Sequence, residues 1–269
     1  MAIPPYQACA VPGRSITLHS QALRDAIFWA HSRNQTAALV SFDQNKAFDR
    51  VHHEYMYRVL GANGFHSTVV GWVRALYAGA SACIAVNGGT SSHFRIKAGV
   101  RQGCPLSPAL YALVFGPFLE ALATTLRTRM LPLPGSSALP LFAYADDLSM
   151  LLTDEDAIGR VLAVLDEYGS VSNARINRAK SAVLFINAIP SCEAPLGIPM
   201  KAEIRILGFN YNCRGIASSS WLRLHQRNYN CRGIASSSWL RLHQRSVPVI
   251  AGLKGLVLPI TCRARLVAS

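Results

Sequence analysis

Two short apolar runs in this chain stop at aspartate, and that pattern limits the fold more than any other feature. Residues 36–42 read TAALVSF and end at Asp43. Residues 139–150 read as strand, turn and strand, with Asp146 and Asp147 at the turn. Apolar runs this short, bounded by polar residues, read as buried strands, so carboxylates close strands on both segments. Adjacent carboxylates repel each other and gain nothing structurally unless a cation sits between them. An ordinary Asp-rich turn is the alternative. The apolar residues on both sides, Phe142 to Ala145 and Leu148 to Leu151, favour a site, because a solvated turn does not need them.

The remaining segments alternate helical and strand signals. Leu18, Ala22, Leu23, Ala26, Ile27 and Ala30 recur at helical spacing. Residues 54–60 and 69–77 read as helices, the first followed by Gly61. Residues 83–86 and 94–96 read as a hairpin around Asn87-Gly88-Gly89, since Asn-Gly takes the positive φ of tight turns. Residues 106–127 read as an apolar helix in which Pro117 predicts a kink or break. Thr153, with Asp156 three residues on, reads as the start of a helix whose core face carries Ile158, Val161, Leu162 and Leu165, before Gly169. Residues 181–186 and 204–209 read as two further strands. The pattern is α+β, an antiparallel sheet with helices on one face.

Composition narrows the class. The chain has 269 residues, 51% of them hydrophobic and 15% charged, which excludes a disordered, highly charged chain. The formal net charge is +13, and 22 of the 27 basic residues are Arg. Guanidinium groups suit bidentate phosphate recognition; a basic surface that favours solubility is the alternative. The longest apolar stretches, such as 110–119 and 256–260, fall short of the ~20 residues of a membrane span. The N-terminus lacks the basic flank and apolar run of a secretory signal. Seven dispersed cysteines, none in a Cys-x-x-Cys pair, argue against a structural zinc site and for a reducing compartment, nucleus or cytoplasm. Residues 210–227 and 228–245 are identical over 18 positions. Two copies without drift differ from a solenoid and read as a recent duplication or an assembly error.

Four blocks then carry a resemblance: SFDQNKAFDRV at 41–51, GVRQGCPLSPALY at 99–111, FAYADDLSML at 142–151 and ARINRAKSAVL at 174–184. In this order and spacing the chain resembles the reverse transcriptase domain of non-LTR (LINE-type) retrotransposons. VPGRSI at 11–16, which resembles the stretch before the first catalytic strand, and ILGF at 206–209, which resembles the later hairpin that supports the primer, extend the likeness over roughly residues 10–210. The resemblance implies a polymerase right-hand palm, with partial fingers and an incomplete or disrupted thumb. It divides the chain into a partial fingers segment at 1–35, the palm with embedded fingers elements at 36–210, and a basic segment with the tandem repeat at 211–269. The chain begins close to VPGRSI, so the preceding finger strands are expected to lie outside it. Residues 204–269 hold 10 basic and no acidic residues, and residues 1–203 hold 17 and 14, so the charge concentrates where primer support and thumb are expected.

The resemblance also implies roles. Asp43, Asp146 and Asp147 would hold two Mg²⁺ ions, with Mn²⁺ as an alternative; Asp146 is the direct ligand of the pair and Asp147 stands nearer the primer end. Phe48 resembles a steric gate against a ribose 2′-hydroxyl; a core phenylalanine is the alternative. Arg101, Gln102 and Gly103 would meet the incoming nucleotide, and Asp49 would support the loop rather than bind metal. Pro105 and Pro108 fit the first turn of a helix. Lys180 resembles the lysine that protonates the pyrophosphate leaving group, against the alternative of a solvated surface lysine, and Asn177 would order its loop. Asn173-Ala174 stands where the family shows Gly-Leu, which bears on that loop's geometry. The expected function is RNA-directed DNA polymerisation on an RNA template from a DNA primer with dNTPs. An inactive retrotransposon remnant that binds nucleic acid, or a relic without a role, are the alternatives. A two-metal nuclease would leave the Gln102 block unexplained.

Overall fold

The computed structural model describes residues 3–133, 139–188 and 194–217. Helix α1 (Ile16–Ser32) starts where the Ser15 hydroxyl accepts the Leu18 N–H, an N-cap interaction. Strand β1 (Ala37–Phe42) follows, then the one-turn helix α2 (Ala47–Arg50), α3 (His53–Ala62) and α4 (Ser67–Tyr77). Four two-residue strands, β2 (Ser81–Ala82), β3 (Ala85–Val86), β4 (Gly89–Thr90) and β5 (Phe94–Arg95), lead to α5 (Ser107–Thr125). The hairpin β6 (Leu141–Tyr144) and β7 (Asp147–Leu152), helix α6 (Asp156–Ser172) and strand β8 (Ala182–Ile186) come next. Strands β9 (Ile204–Ile206), β10 (Phe209–Asn212) and β11 (Gly215–Ile216) end the described chain.

The main sheet has the order β6-β7-β1-β8 and is antiparallel throughout. Both of its faces are covered, which is why β1 reads as a continuous apolar run. Ala38, Val40 and Phe42 pack with Met56 and Leu60 of α3, Phe115, Phe118 and Leu119 of α5, and Ile158 and Val161 of α6. Ala37 and Leu39 pack on the other face with Leu23, Ile27 and Ala30 of α1. There the small sheet β11-β10-β9 closes the edge, and the fully buried Tyr211 donates its hydroxyl proton to the Ser20 carbonyl. Each fully buried large side chain contributes about 1.5–3 kcal/mol of burial.

Four local readings change. The turn at Asn87-Gly88 forms, both residues having positive φ, but Val86 pairs with Gly89 and Ala82 with Phe94; residues 83–86 do not pair with 94–96. Helix α5 runs through Pro117 as one element. Phe115, Gly116, Phe118 and Leu119 are all buried around it, and that packing offsets the hydrogen bond that proline removes. Among the described residues α5 is the one helix with the length and hydropathy of a membrane span, and its place between sheet and helices accounts for its composition. Helix α6 starts at Asp156, and its capping oxygen comes from Asp154, which accepts the Ala157 N–H. Thr153 instead donates its hydroxyl to Asp154 and to the Arg129 carbonyl. The single strand read at 204–209 is split, with Leu207 and Gly208 left-handed between Ile206 and Phe209, into a hairpin as the likeness of ILGF implies. Strand β10 crosses position 210, so the segment expected from 211 contributes its first residues to the small sheet. The rest of the tandem repeat, and the expected thumb, lie outside the described residues.

Candidate functional site

Asp43 follows the last residue of β1. Its N–H donates to the Ser181 hydroxyl at 3.1 Å, and its carbonyl accepts the Asn177 N–H at 2.8 Å. The sheet register pairs Phe42 with Leu148 on β7, which sets Asp43 level with Asp147. Tyr144 pairs with Asp147, so β6 and β7 are joined by the two-residue turn Ala145-Asp146, and Asp147 belongs to the strand. Ala145 has φ 52, a left-handed conformation that costs a non-glycine residue about 1–2 kcal/mol.

The two carboxylates at the turn sit in an unfavourable field. Burial raises the Asp146 carboxyl above its ordinary value; its own backbone N–H opposes this and the Asp43 charge adds to it. Burial, then the charges of Asp146 and Asp43, raise that of Asp147, although its surface is exposed. A cation would relieve that repulsion. Among the described residues, however, no group of three or more His, Cys, Asp or Glu side chains is gathered tightly enough to hold a metal ion. The donors are hard oxygens in a small, open set. That fits Mg²⁺, which takes one or two carboxylates and fills its shell with waters and substrate phosphates.

Phe48, Arg101, Gln102 and Gly103 share one cleft of about 450 Å³, with Cys104 and Pro105. The half-buried Phe48 ring stacks on Tyr111. Gln102 donates its amide to Asp49 at 3.1 Å, so Asp49 supports this loop. Arg101 donates to the Leu76 carbonyl at the end of α4, and its own carbonyl accepts the Ser107 hydroxyl. Gly103 has φ 81 with open space where a Cβ would stand. Gly99, four residues earlier, has φ 97 and a Cβ position 2.8 Å from the Asp49 carbonyl oxygen, so it is the glycine that packing requires.

Lys180 is exposed, and the structure does not bring its side chain into an ion pair among the described residues. Its N–H donates to the Asn177 side chain, so Asn177 does order this turn. Asn173 takes φ 67 at the end of α6. It performs the left-handed cap that glycine would otherwise fill, and its side chain donates to the Arg50 carbonyl.

Three participants were not legible beforehand. Gln44, 8% exposed, donates to the Asp146 carbonyl and accepts the Tyr111 hydroxyl. Tyr111 therefore connects the Phe48 ring to the aspartate turn. Gln7, fully buried, brackets Ala145 from the N-terminal segment. Gln44 and Tyr111 lie inside two of the recognisable blocks, 41–51 and 99–111, without a charge that marks them, and Gln7 gives no periodic signal.

Comparison with known proteins completes the picture. The family described as reverse transcriptase (RNA-dependent DNA polymerase) matches residues 2–211. The chain is 37% identical over 182 residues to the transposon TX1 uncharacterized 149 kDa protein of Xenopus laevis, which covers 68% of this chain and 14% of that protein. It is 31% identical over 216 residues to the retrovirus-related Pol polyprotein from the type-1 retrotransposable element R2 of Popillia japonica, covering 71% and 34% respectively. The chain thus spans about a third or less of these relatives. Among solved structures, apo telomerase from Candida tropicalis truncated from its C-terminal domain superposes with a TM-score of 0.55 at 14% identity, over 76% of this chain and 39% of that one. Telomerase from the same organism, in complex with a fragment of telomeric RNA, gives 0.54 at 14% identity over 74% and 32%. At such identity the likeness shows the fold, the right-hand arrangement of polymerases.

Proposed function

The chain belongs to the reverse transcriptase (RNA-dependent DNA polymerase) family, and from that premise we propose that it is the palm-centred polymerase segment of a non-LTR retrotransposon protein. It would transfer a nucleotidyl group from a dNTP to a DNA primer 3′-hydroxyl opposite an RNA template. One observation carries this reading. Asp43, Asp146 and Asp147, set side by side by the register of β1 on β7, are linked through Gln44 and Tyr111 to Phe48 in the cleft that also holds Arg101, Gln102 and Gly103.

In the reaction the primer 3′-hydroxyl loses its proton to solvent and its oxygen forms a bond to the α-phosphorus as the bond to pyrophosphate breaks. Asp43 and Asp146 would hold divalent metal, with Asp147 beside the primer end. When bound, such ions lower the pKa of the primer hydroxyl and neutralise phosphate charge. Phe48 would stand where a ribose 2′-hydroxyl would have to fit, favouring deoxynucleotides. Gln102, its amide committed to Asp49, would offer its carbonyl oxygen to the nucleotide. Lys180 would give a proton to the departing pyrophosphate; its exposure leaves the side chain free to swing there.

A second reading, binding of nucleic acid without catalysis, is favoured by the basic tail, residues 204–269 holding 10 basic and no acidic residues. Primer extension on an RNA template with Mg²⁺ separates the two. The polymerase reading expects extension that disappears in the Asp146→Ala, Asp147→Ala double variant. Equal signal from both proteins would overturn it. Salt-sensitive binding with no extension would favour the second reading.

A further inference from the structure

A left-handed alanine at the head of the aspartate turn has to be held there by its surroundings. At Ala145 one side chain engages both backbone groups. The Ala145 N–H donates to Gln7 Oε1 at 2.9 Å, and the Ala145 carbonyl accepts from Gln7 Nε2 at 3.1 Å. One carboxamide thus satisfies both backbone groups of a residue that has left the β ladder, as a paired strand would have done. The same Oε1 accepts the Cys9 N–H at 2.9 Å, and Gln7 has no exposed surface.

Gln7 is itself fixed on two sides. Its neighbours pair with β6: the Ala143 N–H donates to the Tyr6 carbonyl at 2.8 Å and the Ala8 N–H to the Ala143 carbonyl at 2.9 Å. Arg14, the arginine of VPGRSI, donates to the carbonyls of Pro4, Gln7 and Ile3. A continuous chain of hydrogen bonds therefore runs from Arg14 through residues 3–7 to Ala145.

We propose that Gln7 is a positioning residue, which locks Ala145 and thereby sets Asp146 and Asp147 against Asp43, with Arg14 holding the segment that presents it. This gives VPGRSI a task in the palm. For the reaction it serves, the inference rests on the polymerase reading above.

The test uses the full chain with Gln7→Ala, the volume-matched Gln7→Met in case the alanine variant unfolds, and Gln7→Met combined with Ala145→Gly. Three quantities are read: hydrogen exchange of the segment 141–150, Mn²⁺ affinity by titration with the metal alone, and kcat against KM for dNTP in primer extension. Gln7→Met should speed exchange at Ala145 and lower kcat by about tenfold or more with KM within about twofold. Ala145→Gly should restore several-fold of that loss, because glycine takes positive φ without penalty. A residue that merely packs would give no such rescue. Unchanged exchange in Gln7→Met, or absent rescue, overturns the proposal. If the wild type extends no primer, the polymerase reading fails on its own. Exchange and Mn²⁺ affinity then still decide for Gln7 if both change and against it if neither does.

Discussion

Phe48 and Tyr111 lie nearly parallel, their ring centroids 4.5 Å apart and their planes 11° from alignment. Tyr111 then donates its hydroxyl to Gln44 at 3.0 Å, and Gln44 donates to the Asp146 carbonyl at 3.2 Å. The wall of the cleft and the aspartate turn are thus one packed unit, and disturbing either end should register at the other.

Tyr111→Phe keeps the ring stack and removes only the hydroxyl. The buried Gln44 oxygen loses its donor, which should cost about 1–3 kcal/mol of stability, read as a lowered denaturant midpoint. Phe48→Val should leave stability closer to wild type. It should also raise incorporation of ribonucleotides relative to deoxynucleotides by about tenfold to a hundredfold, measured as the ratio of kcat/KM values.

Asp43→Asn removes one of the charges that raise Asp146 and Asp147. Both carboxyls should then titrate at lower pH in the metal-free protein, visible by carbon NMR. The sign for stability follows. A carboxyl raised above its unfolded value destabilises the fold once the pH exceeds that unfolded value, about 3.9. Asp147→Asn should therefore stabilise the metal-free chain at neutral pH and leave it unchanged below about pH 3. A destabilising effect at neutral pH would contradict the repulsion.

His19 lies edge-on to Phe142, and its Nδ1 is buried with no hydrogen-bond partner among the described residues. Burial first, then the Arg14 charge, lowers its pKa. The unfolded chain therefore takes up the proton first. Stability should fall as the pH drops through about 6.5 toward the lower folded value. In His19→Phe the slope of unfolding free energy between pH 7 and 5 should flatten.

Gly99→Ala and Gly103→Ala both place a side chain at positive φ, 97 and 81 respectively. Only at Gly99 does the new carbon meet backbone, the Asp49 carbonyl oxygen at 2.8 Å. Gly103→Ala should cost about 1–2 kcal/mol and Gly99→Ala clearly more, compared by urea denaturation.

The aspartates were legible because β1, β6 and β7 carry buried side chains on both faces, so their sequences are apolar until a carboxylate interrupts them. The cleft residues were legible as a compact block around Gln102. Gln7 was not, since a single glutamine acquires meaning only from Ala145, 138 positions away. The strands at 81–95 are two residues long, too short for alternation to fix their register, so the turn could be placed and the pairing could not. Pro117 misled because local propensity predicts a break, and the packing of Phe115, Gly116, Phe118 and Leu119 around it decides otherwise.

The sheet order β6-β7-β1-β8 has a bearing on how the molecule comes into being. Strand β1 is made early, yet both of its neighbours, β7 and β8, lie more than 100 residues downstream in the chain. During synthesis its apolar run leaves the ribosome without a partner on either side, gains β7 only once the chain has grown past Leu152, and keeps one open edge until it has grown past Ile186. Such non-local pairing folds slowly and leaves a sticky strand exposed meanwhile. The centre of the main sheet is therefore completed only with β8, and any chain released before β8 emerges carries Asp43 on a strand with one edge unpaired.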